Sequence, residues 1–335
     1  MSDQFLSERP LITGMGAALV DLFADVDEPA LDKLGSPKGS MTLVDAARAD
    51  ALRARVKVHT YRPGGSAANT VAGLAGLGMQ GGFIGKIGDD ELGRVFRDSL
   101  TDLGVTFPVT PCDAADHPTG NCLVLVTPDA ERTMHTLLGA SVTTATPDLD
   151  EKLLDATGIL FCEGYVWDSP TAREAFLQAA ARVKSGSGRI GFSLSDTFCV
   201  ARHKRDFLDM FGRDIDILLA NFAEAQALLD ATDMADITAA MQKAGVDGAI
   251  TCGAEGAVIV CGDAVVHVDA HTVETATDLT GAGDQFAAGY LSGVARGRDA
   301  QTCGRMGALA AAEVIQHFGP RPENDLRAAF AEHGL

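Results

Sequence analysis

Residues 278–290, DLTGAGDQFAAGY, place Asp284 directly behind Gly281, Ala282 and Gly283 at the start of a stretch with helical spacing. The first amides of a helix lack intrahelical acceptors, and the macrodipole is positive there, so such a start favours an anion. Three small residues in a row can turn consecutive main-chain N–H groups toward one oxyanion. Asp284 then stands where it can cap the helix or take the proton of a hydroxyl attacking a phosphoryl group. No GK[ST] follows, so this is not a Walker A loop, and it is not the Gly-rich loop of protein kinases either.

Three further stretches carry polar groups at loop-to-helix or strand-to-loop junctions. In PGGSAAN (63–69), Gly64 and Gly65 let backbone approach a ligand, while Ser66 and Asn69 offer a hydroxyl and an amide at a helix start. In NFAE (221–224), Asn221 and Glu224 are three apart and share one face of a helix start. They form a capping pair or hold a magnesium-bound water, since magnesium takes few protein ligands. TCGAEG (251–256) joins two apolar strands and reads as a glycine hairpin. GMGAALVD (14–21) imitates a dinucleotide fingerprint, but Leu19 occupies the third glycine position and no acidic strand end follows. Asp21 still lies just beyond a first strand's carboxyl end, where open α/β sheets bind ligands.

The elements that position these groups follow from patterning. LITGMG, FIGKIG, GILFCEG, RIGFSLS, DILLA and GAITCG are apolar runs of strand length, and amphipathic helices such as TAREAFLQAAARVK lie between them. This rhythm predicts a three-layer α/β/α fold with a mostly parallel central sheet. Residues 38–61, including the alternating ARVKVHTY (54–61), and residues 105–137, with VTFPVT, NCLVLVT and RTMHTLL, break it. They predict a small second sheet lying as a lid over the carboxyl edge, built from about 17–61 and 105–137 within a single domain.

The formal net charge of −19 disfavours nucleic-acid binding, and no apolar run is long enough to span a membrane. The polar N-terminus does not read as a secretory signal. Seven cysteines, an odd number without C-x-x-C or zinc spacing, read as reduced thiols, and a cytoplasmic location is expected.

Taken in order, PGGSAANTVAGLAGLG, GKIGDDELGRVFRDSLTDLGV, NFAE and DLTGAGDQFAAGY resemble the signatures of the ribokinase-like (phosphofructokinase B) family of sugar and nucleoside kinases over roughly residues 11–320. GMGAALVDLFADVD, HPTGNC and SLSDTFCVARHKRDFL look most like the adenosine kinase branch. The resemblance implies an ATP- and Mg2+-dependent kinase acting on a primary hydroxyl of a nucleoside, with adenosine the first expectation. Adenosine kinases carry Asn where this chain has Ala17, which leaves a ribokinase, fructokinase or 2-keto-3-deoxygluconate kinase activity open. From other classes, a regulator that binds nucleotide without catalysis and a dinucleotide oxidoreductase are the rivals.

By position, the resemblance makes Asp284 the catalytic base and Gly281, Ala282 and Gly283 the anion hole. It assigns the acceptor to Asp21, Gly64, Gly65 and Asn69. Asn221 and Glu224 would organise magnesium and phosphate, Thr251, Gly253 and Gly256 would line the ATP side, and Arg132 would reach the phosphates from the lid. Asp278 and Thr280 resemble a monovalent-cation (K+) loop. Phe23, Phe161, Trp167 and Phe198 are candidates to stack a base, with core packing the competing role. A monomer or a homodimer is expected, because edges of a small sheet can pair between protomers.

Overall fold

A computed structural model describes residues 11–129 and 131–335. The chain begins with β1 (Leu11–Met15), then leaves directly for β2 (Leu19–Asp25), α1 (Glu28–Leu34), β3 (Met41–Leu43), α2 (Ala46–Arg53) and β4 (Thr60–Gly64). It returns through α3 (Ser66–Gly76), β5 (Gly81–Ile84) and α4 (Glu91–Thr101), and leaves again for β6 (Gly120–Val126) and β7 (Arg132–Leu137). The rest alternates: α5 (Glu151–Ala156), β8 (Thr157–Glu163), α6 (Pro170–Ser185), β9 (Arg189–Ser193), α7 (Thr197–Met210), β10 (Ile217–Asn221), α8 (Phe222–Leu229), α9 (Met234–Ala244) and β11 (Asp247–Thr251). The hairpin strands β12 (Ala257–Cys261) and β13 (Ala264–Val268) precede α10 (Ala282–Ala295), α11 (Ala300–Val314) and α12 (Leu326–Glu332).

Eight strands form the main sheet in the order β13-β12-β11-β10-β9-β8-β1-β5. It is parallel from β5 to β11, and β12 and β13 add antiparallel at one edge. Both faces are covered, which is why its strands read as continuous apolar runs. Along β8, Ile159 and Phe161 join the core under α3, α10 and α11, whereas Leu160 and Cys162 join the core under α5 to α9. The other strands, in the order β3-β7-β6-β2-β4, make a five-stranded second sheet. Its buried residues Val20, Leu22, Leu123 and Leu125 belong to the first of those two cores.

Two expectations fail locally. The alternation over 54–61 is not one strand: α2 runs to Arg53 and only Thr60 onward pairs with β2. Asp45 caps α2 by accepting from the Arg48 amide, so helix wins here, while Val56 and Val58 pack on the core from a connecting segment. VTFPVT forms no strand either. Thr106 and Cys112 make isolated bridges to Gly82 and Gly88, and Pro108 and Pro111 remove the donors a ladder needs. The passage from β1 straight into β2 leaves Gly14-Met15-Gly16 without a helix to open, which removes the dinucleotide reading.

Candidate active site

The first turns of α3 and α10 face each other. Gly281 precedes α10 with φ 80°, a conformation that suits glycine, and a Cβ there would lie 2.5 Å from the Pro320 backbone. The half-buried Asp284 carboxylate accepts from Ser66 Oγ at 2.6 Å on one oxygen and from Asn69 Nδ2 at 3.0 Å on the other. Thr70 Oγ1 donates to the Asp284 carbonyl at 3.1 Å and ties the two helices together. Burial pushes the Asp284 carboxyl up to about 6, while the hydrogen bonds from Ser66 and Asn69 and the charge of Arg321 pull it down. A carboxyl poised there is a base at neutral pH with more proton affinity than an exposed aspartate.

Asp21 arrives from the second sheet, where it pairs in register with Arg62 of β4 and Cys122 of β6. A Cβ on Gly64 would lie 2.9 Å from an Asp21 carboxylate oxygen, so Gly64 hugs this acid, while Gly65 lies against the Ala17 carbonyl. Burial raises the Asp21 carboxyl to about 7; Arg321 and Arg132 oppose this and Asp278 adds to it. Asp21, Gly64, Gly65, Asn69 and Asp284 are therefore brought together where the two sheets meet.

A cavity of about 610 Å³ opens beside the carboxyl ends of β10 and β11, lined by Asn221, Phe222, Thr251, Gly253, Val258 and His267 among others. Asn221 and Thr251 are register partners there. A volume of several hundred Å³ suits a nucleotide-sized ligand. Gly256 does not line it; the residue turns the hairpin back against the Val268 carbonyl instead. Glu224 does not line it either. Its oxygens accept from the Asn221 amide at 3.0 Å and from Asn221 Nδ2 at 2.6 Å, and Asn221 Oδ1 accepts from the Glu224 amide at 2.9 Å. This is a closed capping box, and burial lifts the Glu224 carboxyl to about 7. Among the described residues no cluster of three or more His, Cys, Asp or Glu side chains is arranged to hold a metal. A magnesium ion at this pair fits only through water.

The loop assigned to a monovalent cation holds a guanidinium instead. Arg132 Nη1 donates to Asp278 at 2.8 Å and to Thr280 Oγ1 at 2.8 Å, and its guanidinium lies over the Phe318 ring. Burial works to raise the Asp278 carboxyl, but Arg132, the Gly319 and Thr280 amides and the Thr280 hydroxyl outweigh it and hold it at about 2. A second cation beside this pair would meet an already neutralised carboxylate, so Asp278 and Thr280 do not fit K+ in this arrangement. Arg132 is correspondingly engaged by Asp278.

Two of the stacking candidates are core residues. Trp167 packs edge-on to Phe176, Phe192 and Phe207, and Phe161 is 1% exposed. Phe198, 76% exposed at the start of α7, remains free to meet a ligand.

The residues that sequence reasoning missed are Glu163 and Arg321. Glu163 ends β8 and accepts from the Ala17 amide at 2.9 Å and the Ala67 amide at 2.7 Å, fixing the start of α3 against the β1–β2 turn. A lone acid closing the apolar run GILFCE is its only sequence signal. Arg321 lies in the stretch 318–321, each residue of which touches one working part. Phe318 meets Arg132, the Gly319 amide donates to Asp278, Pro320 backs Gly281, and Arg321 Nε donates to Asn69 Oδ1 at 3.2 Å. Nothing in HFGPRP announces that arrangement.

The pfkB family carbohydrate kinase model matches residues 39–326. The chain belongs to the pfkB family. Adenosine kinase from Sinorhizobium meliloti superposes with a TM-score of 0.88 at 37% identity, over 98% of this chain and 100% of that one. A probable sugar kinase from Rhizobium etli CFN 42 gives 0.88 at 35% identity, covering 97% and 99%. Adenosine kinase of Saccharomyces cerevisiae is 29% identical across 93% of this chain and 96% of its own length. As a pfkB-family member the protein is a phosphotransferase acting on a hydroxyl group, and ATP use follows from the family. No helix among the described residues is long and apolar enough to cross a membrane.

Proposed function

We propose that the protein phosphorylates the primary hydroxyl of a nucleoside with ATP, and that adenosine, giving AMP, is its acceptor. The observation that carries the catalytic part is the Asp284 carboxylate, held between Ser66 and Asn69 at the mouth of α10. In this reading the acceptor lies over Gly64 and Gly65 with its hydroxyls on Asp21 and Asn69. Asp284 takes the proton as the hydroxyl oxygen attacks the terminal phosphorus and ADP leaves. The amides of Gly281, Ala282 and Gly283 stabilise the charge spreading over the transferred group. ATP enters by the cavity at Asn221 and Thr251, where magnesium would be held through water by Asn221 and Glu224 and would screen phosphate charge. The second sheet serves as the lid that excludes water. Support for adenosine comes from the adenosine kinases of Sinorhizobium meliloti and Saccharomyces cerevisiae, each matched along nearly its whole length.

Ala17 favours a second reading. It has no polar side chain to offer a nucleoside, and its amide is already given to Glu163. A free sugar is the acceptor under that reading. ADP release with ATP and adenosine, inosine, guanosine, ribose or fructose separates the two. Adenosine giving the highest kcat/KM supports the nucleoside assignment, and turnover confined to ribose or fructose replaces it.

A further inference from the structure

Arg321 lies half-buried among four elements. Its Nε donates to Asn69 of α3 at 3.2 Å and its Nη1 to Ser99 of α4 at 3.2 Å, while its charge acts on Asp21 of β2 and Asp284 of α10. Its Nη2 is buried and has no hydrogen-bond partner among the described residues. A buried guanidinium with an unmet donor is costly to a fold, and an apolar side chain of similar length would bridge the same helices more cheaply. The geometry points to a role beyond packing.

An amide side chain is ambiguous, because oxygen and nitrogen have nearly the same shape and either can face a neighbour. Asn69 must present its NH2 to Asp284, as its Nδ2 does at 3.0 Å. Arg321 can only donate, so the oxygen of Asn69 has to face it. We propose that Arg321 is a positioning residue for acceptor activation, locking the Asn69 amide in the orientation that serves Asp284 and setting a cation beside Asp21 and Asp284. The inference rests on the reading of Asp284 as the base.

The charged groups around these acids are few. Arg321 and Glu163 act on Asp284, from the segment after α11 and from the end of β8; Arg321, Arg132 and Asp278 act on Asp21. Of the two arginines, only Arg321 lowers both carboxyls, and burial of its own guanidinium brings it down to about 10, still charged at neutral pH. Losing it leaves both acids with more proton affinity.

The test is the pH dependence of kcat/KM with MgATP and adenosine, or the panel member that is turned over, for wild type, R321K, R321M, N69A and R321M/N69A. Folding is checked by near-ultraviolet circular dichroism. In R321M the acid limb moves up by about one pH unit. Activity at pH 6 then falls about fivefold more than at pH 8. R321K keeps the limb near the wild-type position but has a reduced kcat, because an ammonium lacks the fork that reaches both Asn69 and Ser99. R321M/N69A is within about twofold of the worse single variant, since both changes disable one amide. A folded R321M with an unmoved limb, or fully multiplicative effects with N69A, overturns the inference. Should R321M not fold, an R321K enzyme with wild-type kcat overturns it. The base reading fails separately, if D284N turns over normally.

Discussion

Replacing Asp284 by Asn tests the chemistry with the least change in shape. The carboxylate accepts on both oxygens, from Ser66 at 2.6 Å and from Asn69 at 3.0 Å. An amide keeps both contacts only by turning its NH2 to the Ser66 hydroxyl, which then accepts, and its oxygen to Asn69. The opposite orientation is excluded, because its NH2 would meet the NH2 of Asn69, which cannot turn while Arg321 donates to its oxygen. The Ser66 hydrogen then loses its acceptor and both contacts lose their charge assistance, which costs about 1–3 kcal/mol. The opposing effect is relief of a charge that burial disfavours. The Asp284 carboxyl rises from 3.8 to about 6 on folding, so the native state binds the extra proton between those values and stability falls as pH rises through them. Above pH 6 the charge costs on the order of 3 kcal/mol, which the amide does not incur. The two effects nearly cancel, and the midpoint of thermal unfolding at pH 7.5 should move little. Turnover should not survive. A placed general base contributes about 10²–10⁴-fold, or about 3–5 kcal/mol of barrier. Steady-state ADP release should show kcat down by that factor, with KM for ATP within about threefold of wild type. A folded D284N enzyme retaining more than about a tenth of wild-type kcat would refute the assignment of the base.

Three further outcomes follow from the geometry. D21A should raise KM for the acceptor by about 10–100-fold, the loss of a hydrogen bond to a charged group, and leave KM for ATP nearly unchanged; equal effects on both would remove Asp21 from the acceptor side. The Asp278 carboxyl is held at about 2, below its unfolded value of 3.8, so its ion pair stabilises fully above pH 4 and is lost as pH falls through 2. D278N should therefore cost about 2 kcal/mol at pH 7 and about a third of that at pH 2.5 by denaturant titration, and an equal loss at both would deny the pair that role. G281A must place a Cβ against the Pro320 backbone at positive φ, and should lower both the unfolding midpoint and kcat; a neutral result would show that the nest does not need this backbone shape.

The parallel sheet was readable because burial on both faces writes the strands as unbroken apolar runs, as in GILFCE and DILLA. The start of α10 was readable because it depends on one contiguous stretch, Gly281 to Asp284. Groups whose position depends on a fold crossing were not. Arg321 is 252 residues from the Asn69 it touches, and no local pattern joins them. The engagement of Asp278 by Arg132, 146 residues away, was hidden for the same reason. VTFPVT and ARVKVHTY have strand-like composition, but prolines in one and the capped helix α2 beside the other decide against it. Trp167 and Phe161 look like base-stacking surfaces until the α6–α7 layer is seen to cover the first and the α3–α10 layer the second.

The two acids proposed to meet the acceptor ride on different bodies. Asp21 is carried by β2 of the second sheet and Asp284 by α10 against the main sheet, and the chain passes between these bodies at Gly64 and Gly65. Any tilt of one sheet over the other opens or narrows the gap between the carboxylates like the jaws of a caliper. A molecule that spans both jaws sets the tilt by its own length, and one too short to touch both leaves the jaws apart. On the proposed assignment, the place where the chain crosses would itself select acceptors by size, before any side chain reads a functional group.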